Sequence, residues 1–367
     1  MAARTRAVFA LIVVVMVGVL VAVAAGVELP QSIQDRLGIS EQDAGTAPCT
    51  PDRSLVRAPA QSVSSGSGRW RVEPPLPRLR DEPKAIRRGA EIWILGGAVP
   101  AGDGVGSLAD VLAFDPDTGR YRRMPSLPEA LDHVAAGAYR GDVLVAGGYT
   151  ATHAGARAWR YSAERREWTR APSLPRPSAA PGSAMVGSRL YVAGGTPISS
   201  FAPDILERRP LADVEAYDFR TGRWTRLAPM PTPRHHVALV ALDGKLYAIG
   251  GRAEGDFSSR AVERYDPRTD RWTSLRPMPQ GVGGPAVTAA GGRIVVAGGG
   301  DDAERWISPA SWSYDPEQDR WTRLADLGEP RHGAALAAAR GRAYVFGGAP
   351  CPGFGLARTV ESLPAPG

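Results

Sequence analysis

The chain has 367 residues, of which 44 are basic and 38 acidic, with 43 glycines and 33 prolines. That length holds one large domain or two ordinary ones, and the net charge of +6 is spread through turns rather than clustered, which argues against nucleic acid as a partner. Glycine and proline recur at fixed offsets between short apolar runs, which excludes a low-complexity chain and points to an all-β fold with many turns.

After Arg4 and Arg6, residues 7–27 carry no charge or strongly polar side chain, a run of 21 that as a helix spans a hydrocarbon layer. The preceding arginines belong in the cytoplasm, so everything after Glu28 is expected outside it. Residues 1–28 are therefore read as a membrane anchor or signal segment. Ala22-Val23-Ala24 resembles a cleavage site, but the apolar run is long for a removable signal, so a single-pass anchor is favoured and secretion after cleavage is the alternative. Of the basic residues only Lys84 and Lys245 are lysine, a bias that fits a G+C-rich bacterial genome. Residues 29–68, with the run SVSSGSG at 62–68, read as a flexible tether, and 364–367 as a tail. In an oxidising compartment Cys49 and Cys351 are expected to pair, closing a loop whose constraint contributes about 3 to 5 kcal/mol.

Glycine doublets then close apolar strands six times: Gly96-Gly97, Gly147-Gly148, Gly194-Gly195, Gly250-Gly251, Gly298-Gly299 and Gly347-Gly348. The intervals are 51, 47, 56, 48 and 49 residues. A large aromatic stands 26 residues before each doublet, at Trp70, Tyr121, Trp168, Trp224, Trp272 and Trp321. Length changes fall only in the connection after the doublet. Seven residues before the last five aromatics stand Phe114, Tyr161, Tyr217, Tyr265 and Tyr314, which predicts a hairpin between the two outermost strands.

This pattern resembles the kelch repeat over 69–363. The resemblance implies a six-bladed β-propeller, four antiparallel strands per blade, the doublet ending the second strand and the tryptophan on the fourth. Trp70 has no three strands before it, while Thr359-Val360-Glu361 echoes a third strand with no fourth after it. The N-terminal outer strand is thus expected to join the C-terminal blade and close a monomeric ring.

Kelch propellers place the connections after the second strand around one mouth of the central channel, so function is sought there. Phe201 and Trp306 on these loops are candidate partner-binding aromatics, with Phe257 and Phe354 beside them. Arg80, Arg234 and Arg331 stand 16 residues before a doublet; Asp81, Asp132, His235 and His332 follow one residue on, then Glu82, His133 and His236. Convergence of Arg80, Arg234, Arg331, His235 and His332 on the mouth would suit an anionic or polyhydroxy ligand, but the kelch resemblance favours a structural role, with the arginine pairing with backbone or a neighbouring blade. Read as strand neighbours, His235 and His236 point to opposite faces and do not share an ion; no metal or cofactor is expected. Copper chemistry of the galactose oxidase kind lacks its cysteine among ligand neighbours, and Asp301-Asp302 with Glu304 lacks a calcium-loop spacing. The leading expectation is a membrane-tethered module binding an envelope protein or a glycan. The alternative is an exported sugar epimerase, mutarotase or lyase resembling the kelch epimerase that acts on sialic acid, with Glu207 and Arg208 as its acid and base candidates.

Overall fold

Each repeat folds because one strand in it is apolar on both faces and has to be covered from both sides. In the first repeat that strand is Glu91–Leu95, whose Ile92, Trp93, Ile94 and Leu95 are fully buried. It pairs with Lys84–Arg88 on the channel side and with Val111–Asp115 on the other, and Arg120–Arg123 completes the sheet at the exposed outer edge. A single sheet of this kind leaves both faces wet, so it is stable only against neighbours.

The computed structural model describes residues 53–59, 61–64, 68–101, 104–150, 153–197 and 209–367, all within the unit Ala47–Gly367. Among these residues there are six four-stranded antiparallel sheets, each a blade of a β-propeller. Five are continuous in sequence. The sixth joins Ala335–Ala339, Arg342–Phe346 and Val360–Pro364 to the N-terminal Arg71–Glu73. Its closing register sets Arg71 opposite Ser362, Val72 opposite Glu361 and Glu73 opposite Val360. Trp70 thereby takes the outer-strand place that the C-terminal blade lacks.

Two of the sets of contacts that join blade to blade use the glycine doublets and the outer aromatics. The first glycine of each doublet has positive φ and meets the next blade so closely that a side chain does not fit: a Cβ on Gly147 would stand 2.3 Å from the Ser178 carbonyl oxygen, and one on Gly194 2.3 Å from that of Arg234. The N–H of the second glycine donates to the same carbonyl, at 2.9 Å for Gly148 to Ser178, Gly195 to Arg234, Gly251 to Val282 and Gly299 to Arg331, and at 3.0 Å for Gly97 to Leu131 and Gly348 to Arg80. Six identical bonds close the circle.

The outer aromatics form the second set, pointing the opposite way round the ring. Each side chain donates to a backbone carbonyl of the preceding blade, four residues beyond that blade's own outer aromatic: Trp168 to Pro125, Trp224 to Pro172, Trp272 to Ala228, Trp321 to Arg276 and Trp70 to Ala325. Tyr121 replaces the indole N–H with its hydroxyl, which donates to Pro74 at 2.8 Å. The rings also pack on the third-strand aromatic directly across, as in Tyr217 with Trp224 at 5.2 Å and Tyr314 with Trp321 at 4.7 Å between centroids.

Within the N-terminal approach, three of the described residues make contacts with the fifth blade. Val56 bridges Ile307, Arg57 N–H donates to the Ile307 carbonyl and its guanidinium pairs with Glu304, and Ser64 N–H donates to the Arg323 carbonyl. Backbone donors that find fixed acceptors tie the segment to the fifth blade at Arg57 and Ser64. Cys351 is buried and not a free thiol, while Cys49 and the apolar run 7–27 lie outside the described residues. Among the described residues no helix is long and apolar enough to cross a membrane.

Gly194→Ala is expected to destabilise the ring by about 3 kcal/mol or more, combining a left-handed backbone with a steric clash, whereas Gly187→Ala, also at positive φ but with open space around it, costs about 1 kcal/mol. Trp272→Phe keeps an aromatic side chain but removes both the inter-blade donor and part of the indole packing on Tyr265, with an expected loss of about 2 kcal/mol. Urea unfolding midpoints of the three variants check the order.

Candidate functional site: the axial mouth

Between the outer strand of one blade and the innermost strand of the next, the chain passes through three positions that recur six times. The first holds Arg80, Leu131, Ser178, Arg234, Val282 and Arg331, whose carbonyls receive the doublet N–H groups. The three arginines are fully buried and turn back into their own blades. Their guanidinium Nη1 atoms donate to the first doublet carbonyl, at 2.9 Å for Arg80 to Gly96, 2.7 Å for Arg234 to Gly250 and 3.2 Å for Arg331 to Gly347. Arg234 and Arg331 also meet the buried carboxylates of Glu263 and Glu361 at 2.6 and 2.5 Å. No cationic ring lines the mouth at these positions: the three arginines hold the sheets together through the doublet carbonyls, the structural one of the two roles weighed from the sequence.

The second position bridges the residue immediately after each doublet, as Asp81 with Ala98, Asp132 with Tyr149, His235 with Arg252 and His332 with Ala349. Every variable connection thus begins against the axial mouth. His332 is buried, with its Nε2 at 2.9 Å from the Cys351 carbonyl oxygen, so it fastens the last of these loops rather than facing the channel.

The third position faces the axis. Glu82, His133, Ala180, His236, Gly284 and Gly333 all have positive φ, between 48° and 62°. Their amides join head to tail: Glu82 N–H donates to Gly333, His133 to Glu82, Ala180 to His133, His236 to Ala180, Gly284 to His236 and Gly333 to Gly284, at 2.8 to 3.3 Å. This is a closed ring of six backbone hydrogen bonds, one per blade. The left-handed turn breaks strand alternation, so His235 and His236 do not diverge as a strand would make them; their Nδ1 atoms lie 2.6 Å apart. Glu82, His133 and His236 also carry side chains in a conformation that costs about 1 to 2 kcal/mol each for a non-glycine residue.

Those three side chains converge. His133 Nε2 lies 3.1 Å from His236 Nε2 and 3.5 Å from Glu82 Oε1, and His236 Nε2 lies 3.9 Å from the same oxygen. Asp132 Oδ1 accepts from His133 Nδ1 at 2.5 Å and is steadied in turn by the Ser107 hydroxyl, which donates to Oδ2 at 2.6 Å. Burial alone pushes the His133 imidazole down, but Glu82 and Asp132 outweigh it and raise its pKa to about 10. Burial likewise pushes the Glu82 carboxyl up, and His133, with smaller pulls from His332 and Arg252, reverses this and holds it below the usual range. Asp81, buried beside Glu82, is driven well above it. The cluster borders a cavity of about 100 Å³ that runs down the axis past Lys84, whose ammonium burial depresses to about 8.

A family model described as KLHDC2/KLHL20/DRC7 Kelch-repeats domain matches residues 206–348, and one described as Kelch motif matches 177–231. The chain carries kelch repeats in a six-bladed β-propeller. Kelch-like protein terF of Aspergillus terreus is 28% identical over 185 residues, covering 48% of this chain and 40% of that protein. Human Kelch-like protein 35 is 30% identical over 185 residues, covering 50% and 30%, and Kelch-like ECH-associated protein 1A of Danio rerio 31% identical over 109 residues, covering 30% and 17%. The chain thus spans less than half the length of these relatives.

Around the rim of this kelch propeller the sequence candidates separate. Trp306 is buried under the Arg57 guanidinium, 5.6 Å from its ring centroid, so it packs on its own blade and leaves the partner-facing surface. Phe201, Glu207 and Arg208 lie outside the described residues. The acidic run of the fifth blade is committed within the protein: Asp301 accepts from Ser258 and from the Glu304 amide, Asp302 pairs with Arg252, and Glu304 pairs with Arg57. Leu79 and Phe354 are exposed, at 37% and 38%, on neighbouring segments that pair through Arg80 and Ala357.

The kelch blades also hold two half-pairs that single-residue patterns do not reveal. Arg80 is buried where its third-strand partner position, occupied by Glu263 or Glu361 in other blades, is Leu112; its Nε finds no partner and burial lowers its pKa to about 10, though Asp110 offsets part of the effect. Glu215 holds the carboxylate of such a pair in the blade whose arginine position is Ser178, and burial, then Asp213, raises it to about 7. A carboxyl whose folded pKa exceeds its unfolded one favours the native state below that window and loses this contribution as pH rises toward 7. Glu215→Gln is expected to gain on the parent protein by about 2 kcal/mol between pH 4.5 and 8, measured by urea unfolding across that range. Arg331→Met, which strands Glu361, is expected to cost about 3 to 5 kcal/mol.

Proposed function

We propose that this kelch propeller is a recognition module that binds a protein partner on the loop-bearing rim around the axial mouth. The observation that carries the reading is the bridging of each post-doublet residue to the mouth: it gathers all the connections of unequal length onto one end of an otherwise invariant ring. A rigid scaffold with variable loops at one end suits binding, and the arginines that would favour a small anionic ligand are sealed into the blades. The exposed Leu79 and Phe354 supply an apolar edge on the sixth blade for a partner to cover. One relative's name, Kelch-like ECH-associated protein 1A, records an association, in keeping with this use of the fold.

The apolar run 7–27 would hold the module at a membrane with the propeller outside the cytoplasm, so the partner belongs to the cell envelope, with a glycan-bearing surface as the finer possibility. A bridge between Cys49 and Cys351 would then fasten the segment entering the propeller to the loop after the last doublet; reduction and alkylation should add mass at both cysteines only after reductant is supplied.

Proximity labelling from the rim in living cells tests the reading. The parent protein is expected to label a discrete envelope protein, and Leu79→Asp with Phe354→Asp to lose at least tenfold of that signal at unchanged unfolding midpoint. Equal labelling by parent and double variant would remove the rim of the sixth blade as the docking surface.

A further inference from the structure

We propose that the axial ring is a binding site for one divalent transition-metal ion of the zinc type, held by His133 Nε2, His236 Nε2 and Glu82 Oε1. The three atoms come from three different blades and form a triangle with sides of 3.1, 3.5 and 3.9 Å. A point equidistant from them lies about 2.0 Å from each, which is the length of zinc bonds to imidazole nitrogen and carboxylate oxygen. Two imidazoles and one carboxylate are a donor set that zinc accepts, and one that calcium or magnesium, which require mostly oxygen, do not.

The surroundings orient these atoms. His133 Nδ1 donates to Asp132, leaving Nε2 toward the triangle, and the contact between the Nδ1 atoms of His236 and His235 turns the second imidazole the same way. A carboxylate behind a ligating histidine is the usual second support of such sites. The acidic side chains Asp81, Glu82 and Asp132 gather here, while the nearby Arg252 is paired with Asp302. The other three ring positions carry no more than a methyl group. A Cβ at Gly333 would stand 2.7 Å from Glu82 Oε1, so glycine there is what lets the carboxylate cross toward the two imidazoles. Ala180 and Gly284 leave the cavity side open, giving room for a water or a ligand atom in a fourth position.

Backbone conformation adds a separate argument. The ring needs left-handed φ at all six positions, and glycine meets that need without strain at two of them. Histidine and glutamate at the equivalent positions bear the strain and still converge within bonding range of one point, which is how strained residues at functional sites are arranged.

Titration of the full-length protein with Zn²⁺, and with Co²⁺ followed by its visible d–d absorption, tests the site. One equivalent per chain is expected, unaffected by excess Mg²⁺ or Ca²⁺. His133→Ala, His236→Ala and Glu82→Gln should each weaken binding at least 100-fold, and Asp132→Asn, through the orientation of His133, about 10- to 100-fold. The exposed His153, the fifth histidine, serves as control, and His153→Ala should bind as the parent does. Absence of a one-to-one site in the parent protein overturns the proposal whether or not the variants fold. Retention of that site in the folded His133→Ala and His236→Ala proteins overturns it equally, by assigning the ion to other groups. Neither outcome touches the rim reading, which partner labelling tests by itself.

Discussion

The structure depends on hydrogen bonds to backbone carbonyls that run from blade to blade around closed circles. One circle passes through the second glycine of each doublet, one through the outer aromatic side chains, and one through the six left-handed residues at the axis. No blade can complete any of these bonds alone, so each sheet is stabilised by its neighbours and the ring by its own closure. The pairing of Arg71–Glu73 with Val360–Ser362 has the same origin: without it, Trp70 would not reach the Ala325 carbonyl and the outer circle would end open.

That dependence explains why the spacing of 26 residues was legible. The segment from an outer aromatic to the next doublet contains the carbonyl four residues on, the three axial positions and the doublet itself, which are the points at which a blade touches its neighbours. An insertion there would shift all three circles at once, whereas the connection after the doublet touches only the mouth. Blade count, the closing strand and the outer role of tryptophan all follow from this one constraint. Even the tyrosine at 121 fits, because a phenolic hydroxyl reaches the same acceptor as an indole N–H.

The site was legible in composition and not in geometry. The clustering of four of the five histidines in two adjacent registers is plain in the sequence. Treating the segment as a strand assigned the mouth to Arg80, Arg234, Arg331, His235 and His332, but the channel belongs to the following residue. The signal for that shift was present: Gly284 and Gly333 occupy the same register as Glu82, His133 and His236, and two glycines among six equivalent positions indicate a left-handed turn. For the arginines both roles could be read from the sequence, and only packing decides between them. Their acceptors are doublet carbonyls 16 residues away, and whether a guanidinium faces a cavity or a carbonyl is decided by packing that spacing does not describe.

Amide hydrogen exchange resolved to single residues tests the central claim most directly. If the axial circle is a continuous part of the ring, the amides of Glu82, His133, Ala180, His236, Gly284 and Gly333 should exchange only through global unfolding, as slowly as those of Gly148 and Gly251, although they border a cavity open to the mouth. Rapid exchange at these six positions, with the doublet amides still protected, would show that the axial bonds do not hold the blades together and would contradict the account.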